Sequence, residues 1–114
     1  MERFNEKEII KDSHKTNFFG LESWGLKQVR GNGILVLTEK ELFFGMFKPA
    51  KDISIPINSI KQITTSEKSH LKKKSIMRLL KIIFTQNGKD DVAAWQVTDI
   101  DDWEAKIRKL VKKP

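Results

Sequence analysis

Residues 77–111, MRLLKIIFTQNGKDDVAAWQVTDIDDWEAKIRKLV, change their hydrophobic period part-way along, and that change decides the fold. In the first part the apolar residues alternate. Leu80, Ile82 and Phe84 share one face of a strand, and Ala93, Trp95 and Val97 share one face of the next. Asn87-Gly88 lies between them, and both residues accept the positive φ angles of a two-residue hairpin turn. Beyond Thr98 the period becomes helical. Ile100, Trp103, Ile107, Leu110 and Val111 fall on one stripe, which predicts an amphipathic helix over 99–112. Thr98 or Asp99 can cap its first turn. Asp101, Asp102 and Glu104 put negative charge at its positive end, and Lys112 and Lys113 put positive charge at the other.

Working back towards the N-terminus, the pattern is that of short strands. GILVLT (33–38) and LFFGMF (42–47) are apolar runs rich in β-branched and aromatic residues, separated by a turn at Glu39-Lys40. DISIPI (52–57) alternates, with Ile53, Ile55 and Ile57 on one face, and Pro56 belongs at a strand end or on an edge. IKQITTS (60–66) reads as a weaker strand, and EIIKDSHKTNFFG (8–20) holds a first one. LESWGLKQVRGN (21–32) reads as a long connection, with Gly31-Asn32-Gly33 as a tight turn. The fold expected is mainly β with one C-terminal helix: a partly open barrel of about seven antiparallel strands, capped by the helix.

The chain of 114 residues suits a single domain over 1–114. With 39% hydrophobic and 32% charged residues it reads as a globular protein. No apolar run approaches the roughly 20 residues that span a bilayer. MERFNEKEIIKD at the start has no apolar stretch of the kind a signal peptide carries, so a cytoplasmic location is expected, with peripheral membrane attachment compatible. Without cysteine, neither a disulfide nor a thiolate zinc site is available. The net charge of +7 raises anionic lipid and nucleic acid as partners.

GILVLTEKELFF (33–44) resembles the signature of GRAM-type and bacterial pleckstrin-homology-like domains, in which a glycine starts a strand and LT precedes the turn into an aromatic strand. ISIPINSIKQI (53–63) is similar to the segment that follows in those families. Trp103 matches the tryptophan of their C-terminal helix, and KTNFFGLESWGLKQVRGNG (15–33) looks like the opening of small bacterial proteins of this type. The resemblance covers about residues 8 to 112. It implies a pleckstrin-homology-like superfold that binds lipids, peptides or proteins and that is rarely catalytic.

Candidate chemistry is sparse. Asp12, Ser13 and His14 contain the letters of a hydrolase triad, but neighbours in a strand point to alternating faces and cannot line up. His14 and His70 have no acidic partner three or four residues on. Asp99, Asp101 and Asp102 are better explained by the helix dipole than by a cation. No catalytic residue, metal site or cofactor is therefore expected. Phe43, Phe44, Phe47, Phe84 and Trp95 read as core, whereas Phe18, Phe19 and Trp24 either fold onto the core or form a contact surface.

The remaining candidate is a basic patch. Lys68, Lys72, Lys73, Lys74 and Arg78 lie in or beside the connection between the fifth and sixth strands. In pleckstrin-homology domains a first connection and such a loop can hold an anionic headgroup, which adds Lys27 and Arg30. The lysine-and-arginine pattern of phosphoinositide binders across strands 1 and 2 is missing here. A solvated loop is the plain alternative. The function expected is a non-enzymatic module that contacts protein, peptide or anionic lipid, with a nucleic-acid-binding domain using 68–78 as the other reading.

Overall fold

The computed structural model describes residues 4–21, 31–48, 50–69 and 76–111, with the backbone alone at 66–69, 76 and 77. The strands are β1 (Lys11–Leu21), β2 (Gly31–Leu37), β3 (Glu41–Met46), β4 (Lys51–Pro56), β5 (Ile60–Ser69), β6 (Ile76–Gln86) and β7 (Lys89–Gln96), followed by α1 (Ile100–Val111). They form one seven-stranded antiparallel sheet in the order β4-β3-β2-β1-β7-β6-β5, with β4 and β5 as its edges. This is the mainly β architecture with one terminal helix that the sequence predicts.

The sheet is rolled around its own core. Ile55 of edge strand β4 and Ile63 of edge strand β5 belong to one apolar cluster, which a flat sheet of this width does not allow. At its centre Phe18, Phe44 and Trp95 pack with ring centres 5.1, 5.6 and 6.0 Å apart. Edge β4 ends on Pro56, where the missing N–H costs no rung. The β6–β7 turn is the expected one: Asn87 and Gly88 have φ of 53° and 79°, directly after the Gln86–Lys89 rung.

The helix closes the open side. Trp103 and Ile107 are fully buried, with Leu110 and Val111 packed behind them. Its ladder starts at Asp99, whose carbonyl accepts from the N–H groups of Asp102 and Trp103. Asp99 itself sits at φ 55°, a left-handed conformation that aspartate tolerates better than most residues. Ion pairs then tie the helix start to two strands. Lys11 of β1 reaches Asp102 at 2.7 Å and lies 5.5 Å from the centre of the Trp103 ring, while Arg78 of β6 reaches Asp101 at 2.8 Å. Near the other end Arg108 donates to the carbonyl of Ile63 on β5.

Two sequence expectations change. Gly31-Asn32-Gly33 is not a turn but the start of β2. Gly33 is required there by close approach, because a Cβ would collide with the Gly45 carbonyl and stand 2.7 Å from the Phe44 ring. Phe47 is not core: it follows β3 and is 55% exposed. The segment before β1 also has a structural role. Phe4 is buried against Phe43 at 5.3 Å, edge to face, on the side of the sheet away from the main core, with Val36, Ile9 and Ile34 around them. Asn5 and Glu8 form a reciprocal capping box over the turn Glu6–Glu8 that carries the chain there.

Candidate ligand-binding surfaces

Lys27, Arg30, Lys72, Lys73 and Lys74 lie outside the described residues, as do Trp24 and His70. Lys68 pairs with Met77 through the backbone of β5, but its side chain lies outside the described set. Arg78 is described. Its guanidinium is used to dock the helix, 2.8 Å from Asp101 and 3.4 Å from the Thr65 hydroxyl. The strands that bracket the lysines are paired to the Ser69–Ile76 rung, so residues 70–75 connect the two ends of a ten-residue and an eleven-residue strand.

The acidic groups at the helix start are held by cations. A hydrogen bond from Arg78, and then its charge, lowers the Asp101 pKa. Hydrogen bonds from Lys11 and then Lys106 lower that of Asp102. Asp90, on β7, is lowered likewise by Lys61 and by Thr85. Among the described residues no group of three histidine, aspartate or glutamate side chains is placed to hold a metal ion. His14 stands 3.9 Å from Asp12 on the same strand face, and Ser13 turns its hydroxyl to the Lys15 N–H, so the three form no relay.

Strand register builds a surface that no single stretch of sequence announces. Asn17 of β1 is directly opposite Asn32 of β2 on one side and Gln96 of β7 on the other. Phe47, in the turn directly after β3, donates its N–H to the Asn32 carbonyl and extends the row by one more position. Asn17 alternates with the buried Thr16 and Phe18, so the row faces away from the main core. The row lines a cleft of about 570 Å³, with Lys15 and His14 beside it. The β1 bulge between Ser13 and Thr16 brings these two residues to the cleft. The side chains of Asn17, Asn32 and Gln96 make no hydrogen bond among the described residues, and Lys15 makes no ion pair among them. The signal in the sequence is no more than a polar residue in each of three strands, and only the register joins them.

No family model and no curated protein matches this chain. Among the described residues no helix is long and apolar enough to cross a membrane.

Proposed function

We propose that the chain is a pleckstrin-homology-like binding module of the GRAM type, without catalytic activity, that contacts an anionic partner: acidic protein or peptide, or anionic lipid. The sheet order and the closing terminal helix are compatible with that superfold. The observation that carries the binding reading is the paired β5–β6 ladder. It runs to Ser69 and Ile76, and the connection between these two residues contains Lys72, Lys73 and Lys74. Lys68 and Arg78 flank that connection in the same two strands.

Each basic residue near an anionic membrane contributes about 1 kcal/mol, so four or five contribute about 4 to 5 kcal/mol. That corresponds to roughly millimolar affinity. The patch therefore assists attachment and does not anchor alone. The test is retention on phosphatidylserine vesicles, polyglutamate and duplex DNA across a salt series. Retention on the first two at low salt is expected. Stronger retention on DNA with a steep salt slope would replace this reading with nucleic-acid binding.

A further inference from the structure

We propose that the cleft lined by Phe47, Asn32, Asn17 and Gln96 binds an extended acidic peptide that carries an apolar side chain. The inference rests on the reading of the chain as a binding module and assigns that module a second, separate surface.

The chemistry of the lining points to a main chain. A carboxamide carries one acceptor oxygen and a donor NH₂, the same pair that a peptide group presents. Three of them stand on three neighbouring strands, and none is used by the protein among the described residues. Adjacent strands are about 4.8 Å apart, so a row of three strand residues and Phe47 beside them spans roughly 14 Å. An extended chain rises about 3.4 Å per residue, and four or five residues cover that distance. At one end Phe47 is 55% exposed and presents an aromatic face to an apolar side chain.

Charge selects the peptide. Lys15 lines the cleft and, among the described residues, no carboxylate does, although Asp12 stands 3.9 Å from the His14 at its side. Acidic side chains are therefore matched and basic ones are not. A polyhydroxylated ligand satisfies the carboxamides and Phe47 equally well but leaves Lys15 unanswered.

The experiment is a ¹⁵N NMR titration with a panel of blocked octapeptides that have glutamate at all positions except two, filled by Phe, Leu or Ile. The expected result is a shift of the side-chain NH₂ signals of Asn17, Asn32 and Gln96. A panel with lysine in place of glutamate should bind at least tenfold more weakly. Phe47→Ala and Lys15→Glu, each with an unchanged melting temperature, should lower affinity at least tenfold. The triple variant Lys72→Glu, Lys73→Glu, Lys74→Glu should leave these amide shifts in place. Peptide binding that survives Phe47→Ala and Lys15→Glu but disappears in the triple variant would overturn the cleft assignment while keeping the module. Absence of any shift across the panel, or shifts of the same signals by maltotriose, would also overturn it.

Discussion

Arg78, a residue the sequence assigns to a basic patch, has its guanidinium 2.8 Å from the carboxylate of Asp101 in the first turn of the helix. With Lys11 on Asp102, this pair holds the helix start against β6 and β1. Charge that reads as a binding feature is here partly a docking feature. The same helix buries Trp103 in the mouth of the rolled sheet, so its position and the integrity of the core depend on each other.

These pairs set a pH dependence. Asp90, Asp101 and Asp102 all have carboxyl groups lowered by hydrogen bonds from neighbouring side chains. A carboxylate lowered in the folded state adds stability that is full above its unfolded-state pKa and is lost as pH falls through the folded one. The melting temperature should therefore hold from neutral pH to about pH 5 and fall below about pH 4. Asp101→Asn should melt slightly lower at neutral pH and lose less on acidification. An Asp101→Asn profile parallel to that of wild type would show that the Arg78 pair is not felt. All three groups are exposed, so added salt should shrink the difference.

Truncation of Trp103 tests the closing of the sheet. The side chain is fully buried, and Trp→Ala at such a site costs about 3 to 5 kcal/mol. Against a total stability of about 5 to 15 kcal/mol, the variant should melt more than about 10 °C lower or unfold outright. Melting within a few degrees of wild type would mean that the helix does not close the core.

Phe4 covers Val36 and Phe43 on the far side of the sheet, a contact that is separable from the main core. Phe4→Ala should cost about 1.5 to 3 kcal/mol, the value of burying one large apolar side chain. Thermal unfolding should remain a single transition, and dye binding to exposed apolar surface should rise because Phe43 is uncovered. An unchanged melting temperature would show that residues 4–10 add nothing to the fold.

What was legible in the sequence follows from how far each contact reaches. The β6–β7 hairpin and the terminal helix are local: a period of two, an Asn-Gly turn and a stripe at helical spacing fix them within 77–111. The role of Phe4 is not local, since its partner Phe43 is 39 residues away, and the only nearby sign is the Asn5–Glu8 capping box. Phe47 ends the same apolar run as Phe43 and Phe44, and period alone does not say which residue of such a run leaves the core. Gly31-Asn32-Gly33 has turn composition, yet Gly33 is there because β3 passes too close for a Cβ. The carboxamide row needs the pairings of β1 with β2 and with β7 before it exists at all. Of the basic residues the sequence singled out, Arg78 is tied to the helix, Lys68 lies in β5, and the others fall outside the described residues.

The most direct test of the central claim is co-sedimentation of wild type and the triple variant Lys72→Glu, Lys73→Glu, Lys74→Glu with phosphatidylserine vesicles, alongside their melting temperatures. Exposed contacts are screened over about 8 Å at physiological salt, so binding should appear at low salt and fade as salt is raised. The variant should lose that binding while its melting temperature stays within a few degrees of wild type. Replacing Lys27 and Arg30 by alanine should weaken the same binding. Wild-type protein that ignores both these vesicles and polyglutamate at low salt would contradict the account and leave the lysines as a solvated connection.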